Sequence, residues 1–344
     1  MVTDSETILV PEAPPIPGLR FRHYRGIDAD VPGMFAVAKE VRTADGEVEP
    51  LSLAGMRVFY DHFERCDPAT DIAVIELNGR VVGYGRAQWA DTNDNQRYYD
   101  MTCYLHPDVR RRGIGRALLA WAERRSEDIA AGHAAVGNGI DRPWWFTAFR
   151  FDGDRGADVL LRQRGYDAFR RFHSMVRPDL DDIPDRPLPP GIEIRPIPDD
   201  RDAMRRVFLA DGEAFRDHFG WVDDSEEAFL SFLEDPSTDP ALWLLAFDGD
   251  EIASGVLNGI HTLEDGTRQG WLDSVFTRRP WRQRGLARAL IVRSLVLLRE
   301  QGLDAAYLGV DSENPNQALG LYESAGFRVA SSSTAYRKPL VVPG

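Results

Sequence analysis

The chain has 344 residues, too many for one small core and enough for two ordinary domains. Hydrophobic residues make up 43% of it and charged residues 28%, a balance that is typical of a folded protein and excludes wholesale disorder. Its 41 basic and 55 acidic residues give a formal net charge of −14, which argues against a nucleic-acid partner.

Targeting and metal signals are absent from the sequence. No apolar run approaches the roughly 18 residues of a membrane span, and the first residues lack the regions of a signal peptide, so we expect a cytoplasmic protein with no membrane partner. The two cysteines, Cys66 and Cys103, have no metal-ligand spacing and predict neither a disulfide nor a metal site. The residues before Pro17 have little to bury, and we expect them to be loose.

The same order of elements occurs twice along the chain. Each copy begins with a short strand, continues with helices and a hairpin that turns at a glycine, and reaches another strand followed by a long amphipathic helix. The segment RRRGIGRALLAWAERR recurs as RQRGLARALIVRSLVLLRE, at an offset of 282 − 110 = 172 residues. We therefore predict two similar domains, residues 18–178 and 191–340, joined by a proline-rich linker at 179–190.

An arginine-rich glycine turn opens the long helix in both copies. Backbone N–H groups at a helix start lack intrahelical partners, and the helix dipole adds positive potential there. The absence of a side chain at Gly285 and the small Ala287 allow close approach, and the arginines supply charge-assisted hydrogen bonds. The pattern indicates an anion site that a pyrophosphate would fit, although a solvated helix start gives the same letters.

Both copies resemble the GNAT superfamily of acyl-CoA-dependent N-acetyltransferases, whose central motif reads Arg/Gln-x-x-Gly-x-Gly/Ala between a strand and a helix. The matching residues are Arg282, Gly285 and Ala287 in the second copy and Arg110, Gly113 and Gly115 in the first. The resemblance implies an α+β fold of two tandem GNAT domains, each with a mixed, mostly antiparallel sheet flanked by helices. It also implies acetyl-CoA as the co-substrate.

The resemblance also implies which residues bind the cofactor. The backbone of Val275, Phe276 and Thr277 is expected to pair with pantetheine amides. Asn314 is expected either to hydrogen-bond the pantetheine arm or to cap the next helix. The residues expected around the pyrophosphate are Arg282, Gln283, Arg284, Gly285, Leu286, Ala287 and Arg288 in the second copy, and Arg110, Arg111, Arg112, Gly113, Ile114, Gly115 and Arg116 in the first.

Catalysis is expected in the second copy only. The stretch ENPNQALGLYESAGF resembles a later family motif and places Tyr322 as the proton donor to the departing thiolate. Asp273 is the candidate base; the alternative is a strand-edge aspartate with a structural hydrogen bond. In the first copy Leu161 stands where the tyrosine would be, which predicts catalytic degeneracy, although Asp100 is a possible base there.

The sequence says less about the acceptor of the acetyl group than about the cofactor. Asp217 and His218, with Trp221, are candidates to bind a cationic amine, and the alternative is a solvated helix face in an acidic protein. We expect direct acetyl transfer to a primary amine of a small molecule. The layout is also similar to the mycothiol synthase group of the family, which acetylates a cysteinyl amine, and a non-catalytic acetyl-CoA-binding sensor or scaffold is a further alternative. The oligomeric state is expected to be monomer or homodimer.

Overall fold

The computed structural model describes residues 6–198, 200–220, 222–314 and 318–341. Its helices are α1 (Ile27–Asp45), α2 (Leu53–Asp61), α3 (Pro68–Asp71), α4 (Ile114–Ala135), α5 (Arg155–Gln163), α6 (Arg201–Phe215), α7 (Glu226–Glu234), α8 (Leu286–Glu300) and α9 (Ala318–Ser324). Its strands are β1 (Leu19–His23), β2 (Ile72–Leu77), β3 (Arg80–Asp91), β4 (Arg97–Leu105), β5 (Trp144–Phe151), β6 (Asp167–Arg177), β7 (Ile192–Ile194), β8 (Leu244–Asp248), β9 (Glu251–Thr262), β10 (Arg268–Thr277), β11 (Ala306–Asp311) and β12 (Arg328–Pro339). None of the described helices is long and apolar enough to cross a membrane.

The described residues form two compact units whose bounds differ from the domains expected above. The first unit takes its residues from the ranges 1–47, 59–171 and 333–344, and the second from 48–58 and 172–332. Thus residues 172–178 belong to the second unit, and 333–340 to the first. The reason is that the last strand of each sequence half completes the sheet of the other unit.

The first unit is built on a mixed, mostly antiparallel sheet in the order β1-β2-β3-β4-β5-β12. Strands β4 and β5 are parallel, and the other neighbours are antiparallel. Strand β12 pairs with β5 from Ser333↔Phe151 to Pro339↔Trp145. Helix α4 packs on β3 and β4 and buries Ile114 and Leu118.

The second unit repeats this plan in the order β6-β11-β10-β9-β8-β7. Strands β10 and β11 are parallel, and β6 contributes residues Phe172 to Arg177 in antiparallel pairing with β11. Helix α8 packs on β8, β9 and β10 and buries Leu286, Leu290, Leu295 and Leu298, the apolar spacing that predicted the helix. The predicted fold class is confirmed, and α8 is anchored so that its N-terminus stays fixed next to the end of β10.

Residues 8–16 of the N-terminal segment pack against the first unit, contrary to the expectation of a loose end. Its Ile8 amide donates a 2.9 Å hydrogen bond to the Phe21 carbonyl, and Val10 is only 8% exposed within the core of the first unit. Glu12 forms a 2.6 Å ion pair with Arg124 of α4. The expectation was wrong because apolar residues alternate with the prolines and find an apolar surface on this unit.

Candidate active site

The arginine-glycine turn of the second unit joins β10 to α8 and is open. Gln283 and Gly285 have φ of 61° and 84°, the left-handed region that lets the chain reverse tightly. Gly285 is the N-cap of α8 with no side chain capping the helix, and a side-chain carbon on Gly285 would meet no described atom within 4 Å. The N–H groups of the first turn of α8 are therefore available to an anion.

The Arg282 side chain stabilises this turn through hydrogen bonds to neighbouring protein groups, a set of contacts called the brace below. Its guanidinium donates to the Thr277 carbonyl (3.1 Å), the Ala214 carbonyl (2.9 Å) and the Asp217 carboxylate (3.0 Å). Arg282 was predicted to contact the cofactor, and the structure instead directs its side chain toward the protein. Arg284 and Arg288 are exposed at the same turn, and Arg284 also lies 3.7 Å from the Asp248 carboxylate. Leu286 is buried, and only its backbone can face a ligand.

Asp217 belongs to this brace and does not line the acceptor cavity described below. Its carboxylate accepts hydrogen bonds from Arg279 and Arg282. These two guanidinium groups lower the pKa of Asp217 to about 2. The predicted role in binding the acceptor amine is therefore not supported by its position.

Strand β10 separates from β11 just before the turn. The two strands pair only at Gly270↔Ala306 and Trp271↔Tyr307, whereas β10 stays paired with β9 as far as Thr277. One edge of β10, residues 272–277, is thus left without a strand partner among the described residues. Val275, Phe276 and Thr277 lie in this stretch, where the Phe276 carbonyl accepts from the Ser254 hydroxyl and the Thr277 carbonyl from Arg282. The other backbone groups that point to the open edge can pair with an extended ligand, and the predicted pairing with pantetheine stays a prediction.

A β-bulge at Asp273 accompanies the separation. The register between β9 and β10 shifts between Leu272 and Ser274, which leaves Asp273 without a cross-strand partner. The Asp273 carboxylate lies 2.9 Å from His261 Nε2 and is 37% exposed. Withdrawal from solvent raises the pKa of Asp273, and the hydrogen bond with His261 works in the opposite direction.

Next to the bulge lies a cavity of about 340 Å³. It is lined by Phe208, Leu209, Asp211, Gly212, Glu213, Phe215, Arg216, His218, Phe219, Val222, Asp223, Asp224, Asp273 and Ser274. His218 lines the cavity, and its role in binding an amine stays a prediction. Trp221 lies outside the described residues. Among the described residues, no group of three or more His, Cys, Asp or Glu side chains is arranged to hold a metal ion.

The cavity also contains residues that the sequence did not single out. Asp211 on α6 accepts a hydrogen bond from the Ser274 hydroxyl, and withdrawal from solvent raises the pKa of Asp211 to about 6. His261 of β9 is not among the lining residues, and it reaches the cavity only through its contact with Asp273. Asp211 and Ser274 are 63 residues apart in the chain, and no local pattern marks either of them, so only the folded structure could connect them.

Tyr322 lies on α9 and is 6% exposed, with its ring 6.2 Å from that of Phe327. Burial raises the pKa of Tyr322 to about 12. Its hydroxyl has no hydrogen-bond partner among the described residues. Asn314 lies in the turn after β11, where its amide donates to the Asp311 carbonyl at 3.1 Å.

The corresponding turn of the first unit is built alike, and the N-terminal segment contacts it although Gly113 itself is exposed. Arg110 repeats the brace by donating to the Leu105 carbonyl (3.2 Å) and to Asp45 (2.7 and 2.9 Å). A side-chain carbon on Gly113 would lie 3.6 Å from Pro14 Cβ, so the N-terminal segment lies against this turn. The predicted neighbours Arg111, Arg112 and Arg116 are exposed, Gly115 is half-buried, and Ile114 is buried.

The strands of the first unit also separate less. Five residue pairs join β4 to β5, from Arg97↔Trp144 to Met101↔Ala148, and β3 pairs with β4 without a bulge. Only residues 102–105 of β4 extend past the last pair with β5, a stretch of four residues against six in β10. The two units therefore share the turn but not the opening beside it.

Comparison with known proteins gives a consistent result. Residues 37–138 and 203–327 match the family described as "Acetyltransferase (GNAT) family". A mycothiol acetyltransferase of Clavibacter michiganensis is 32% identical over 277 residues, covering 78% of this chain and 79% of the relative. A mycothiol acetyltransferase of Geodermatophilus obscurus is 29% identical over 318 residues, covering 90% and 94%.

Solved structures agree in fold. A GCN5-related N-acetyltransferase from Sphaerobacter thermophilus has a TM-score of 0.68 at 25% identity and covers 96% of this chain and 98% of its own. A tandem GNAT protein from the clavulanic acid biosynthesis pathway has a TM-score of 0.67 at 16% identity, with coverage of 93% and 98%. The second likeness concerns the fold alone.

Proposed function

We propose a function for a chain that belongs to the acetyltransferase (GNAT) family and is an N-acetyltransferase. In this proposal, its second unit moves the acetyl group of acetyl-CoA to a primary amine of a small molecule. The observation that carries the proposal is the free edge of β10, residues 272–277, which leads directly to the open turn at Gly285. An extended arm that ends in a pyrophosphate has this shape and these hydrogen-bonding needs.

The residues of the second unit fit acetyl-CoA. The N–H groups at the start of α8, with exposed Arg284 and Arg288 nearby, would hold the pyrophosphate. The backbone groups of Val275 and the N–H of Thr277 would hold the pantetheine arm, since the Thr277 carbonyl already accepts a hydrogen bond from Arg282. Bound there, acetyl-CoA supplies a thioester whose carbonyl carbon accepts the amine.

The protein's own groups then handle two proton movements. An ammonium must lose a proton before its nitrogen can attack, which calls for a carboxylate in the cavity. The departing thiolate needs a hydrogen-bond donor, and the unpartnered hydroxyl of Tyr322 is suited to that task. Because a phenol of pKa about 12 is a weaker acid than a thiol of about 8.5, Tyr322 would donate a hydrogen bond and pass a proton only as the C–S bond breaks. The transfer is direct, and no covalent enzyme intermediate is needed.

The first unit is proposed to bind no acetyl-CoA and to be structural. Pro14 lies against its glycine turn, its strands separate over a shorter stretch, and Leu161 replaces the phenol. A leucine has no proton to donate. All three differences favour a first unit that neither binds acetyl-CoA nor donates a proton to its sulfur.

A cysteinyl amine is the favoured acceptor within this proposal, because relatives that cover most of this chain are named mycothiol acetyltransferases. An α-amine has a pKa of about 7.7–8.0, against about 10.4 for an alkylamine, so it loses its proton more readily at neutral pH. A cysteinyl conjugate of an amino sugar is therefore the first acceptor to test, and spermidine is the matched alkylamine.

The test is calorimetric titration of acetyl-CoA into the wild type, Gly285→Glu and Gly113→Glu. Each substitution adds a carboxylate to one glycine turn. One site that is lost only in Gly285→Glu supports the proposal, whereas loss only in Gly113→Glu, or two wild-type sites, contradicts the assignment to the second unit. Mass-spectrometric detection of N-acetylated product then separates a transferase from a protein that only binds acetyl-CoA.

A further inference from the structure

We propose that Asp211 is the proton acceptor for the attacking amine, and that Ser274 is the positioning residue that aims its carboxylate into the cavity. The inference rests on the proposed function and deepens it, because it assigns the base to a residue that neither the motif nor the family resemblance identifies. It stands on the position of Asp211 beside the bulge of β10 and on its hydrogen-bonding partner.

The geometry places a carboxylate where an acceptor amine must come. Asp211 and Ser274 both line the 340 Å³ cavity, one from α6 and the other from β10. Ser274 follows the bulged Asp273 and lies on the part of β10 that has separated from β11. The hydrogen bond from the Ser274 hydroxyl therefore holds the Asp211 carboxylate close to the free edge proposed for the pantetheine arm.

Asp211 forms no ion pair among the described residues, unlike Glu213 and Asp224, which line the same cavity and each face an arginine. Its only hydrogen-bond partner among the described residues is Ser274. Glu213 is paired with Arg278 at 2.8 Å, Asp273 with His261 at 2.9 Å, and Asp224 with Arg216 at 3.7 Å. A withdrawn carboxylate without a cation attracts an incoming ammonium more than one that is already neutralised.

The titratable and charged groups that face Asp211 across the cavity are Glu213, Arg216, His218, Asp223, Asp224 and Asp273. Withdrawal from solvent raises the pKa of Asp211 to about 6, and the bond from Ser274 opposes the rise. Such a carboxylate is charged at neutral pH. It is also a stronger base than an ordinary aspartate of pKa about 3.9, and general bases work best near the operating pH.

Each proton in the proposed acetyl transfer has a source and a destination. The ammonium gives one proton to Asp211 Oδ, and the freed nitrogen lone pair forms the C–N bond with the thioester carbonyl carbon. As the C–S bond breaks, the sulfur takes up one proton from Tyr322, which regains it from solvent, and the amide nitrogen releases its extra proton to solvent. The sum is an acetamide, a free thiol and one proton released. Asp211 returns its proton to solvent and is ready for another turnover.

The experiment measures the pH dependence of acetylation of the cysteinyl amino-sugar conjugate by the full chain. Asp211→Asn is expected to lower kcat by about 10²-fold or more and to abolish the activity loss that the wild type shows on acidification through about pH 6. Ser274→Ala removes the hydrogen bond to Asp211 that favours the charged carboxylate. The acidic limb of the pH profile, the fall in activity on acidification, is therefore expected to move upward by about 0.5 to 1 pH unit. A role limited to stability would leave that limb in place.

The comparison variant is Asp273→Asn, which carries the same change on the other carboxylate beside the bulge. If Asp273→Asn abolishes the acidic limb while Asp211→Asn keeps it, the assignment to Asp211 is overturned. Ser274→Ala retains the carboxylate and keeps the test decisive if Asp211→Asn does not fold. Acetyl-CoA titration into each variant separates the two proposals, because a wild type that binds no acetyl-CoA contradicts the proposed function, whereas normal binding with an unmoved limb contradicts the role of Asp211 alone.

Discussion

Asp217 accepts a 3.0 Å hydrogen bond from Arg282, and the pair ties the end of α6 to the turn that begins α8. Asp45 and Arg110 make the same connection in the first unit, at 2.7 and 2.9 Å, between the end of α1 and the turn before α4. The motif arginine thus supports the glycine turn in both units, and we expect it to affect anion binding only through the shape of that turn.

Asp217→Asn should therefore weaken acetyl-CoA binding without touching the ligand. We expect the Kd for acetyl-CoA to rise about fivefold. This corresponds to about 1 kcal/mol, the size of effect expected when a partly exposed ion pair is lost. Because the pKa of Asp217 is about 2, the effect should be constant between pH 6 and pH 8. Asp45→Asn is the matched control, and an equal loss of affinity in that variant would place a binding site in the first unit.

Tyr322→Phe should lower kcat by about 10²-fold while the Kd for acetyl-CoA stays unchanged. The ring and its packing against Phe327 remain, and the lost hydroxyl has no described partner, so the melting temperature should not fall. With a pKa of about 12, Tyr322 should produce no alkaline limb below about pH 11.

Leu161→Met in the first unit is the control for the tyrosine variant. Leu161 and Tyr322 hold the same backbone position, since the carbonyl of each accepts a 3.1 Å hydrogen bond from the residue five places later, Tyr166 or Phe327. We expect Leu161→Met to leave kcat within about twofold and to cost less than about 1.5 kcal/mol of stability. A large drop in kcat would show that the first unit takes part in catalysis.

Removal of residues 1–16 should uncover the glycine turn of the first unit. The deletion takes Pro14 away from Gly113 and removes buried Val10, so we expect a lower melting temperature and, in calorimetry, a second and weaker acetyl-CoA site. Pro14→Gly makes the smaller change if the truncated chain is unstable. A second acetyl-CoA site in the full-length wild type would mean that residues 1–16 do not exclude acetyl-CoA from the first unit.

Glu123→Gln should destabilise the first unit, because Glu123 joins three elements. Its carboxylate accepts hydrogen bonds from Lys338 of β12 at 2.9 Å, from Tyr166 at 3.1 Å, and from Arg164. We expect a loss of about 2 kcal/mol, below the 3–5 kcal/mol of a fully buried pair, since both cations keep part of their solvation. Urea unfolding at pH 7 measures it.

The same variant has a predictable pH dependence. Burial acts to raise the pKa of Glu123, but the bonds from Arg164 and Lys338 outweigh it and hold the pKa below the usual 4.5. A depressed carboxyl pKa contributes stability above the unfolded value, and that contribution is lost as the pH falls through the folded value. The difference between wild type and Glu123→Gln should therefore be constant from pH 5 to 8 and shrink below about pH 4.

The sequence predicted the elements well where the signal was local. The buried leucines of α8 and the glycine turns at Gly113 and Gly285 follow from spacing and from backbone geometry that neighbouring residues dictate. The repeat at an offset of 172 residues predicted two copies of one fold, which the sheets confirm. Replacement of the phenol by Leu161 was also visible, because one position in a matched motif is enough to see it.

The tertiary structure alone decided which strand completes which sheet and which groups meet in the cavity. Strand pairing depends on backbone hydrogen bonds that carry no sequence label, so the exchange of β6 and β12 between the units could not be predicted from either strand. Arg282 was assigned outward because charge near a glycine turn suggests an anion, yet Asp217 holds it inward. Asp211 and Ser274 became a pair only when α6 packed on β10, since a hydrogen bond between distant residues depends on packing and not on their spacing in the chain.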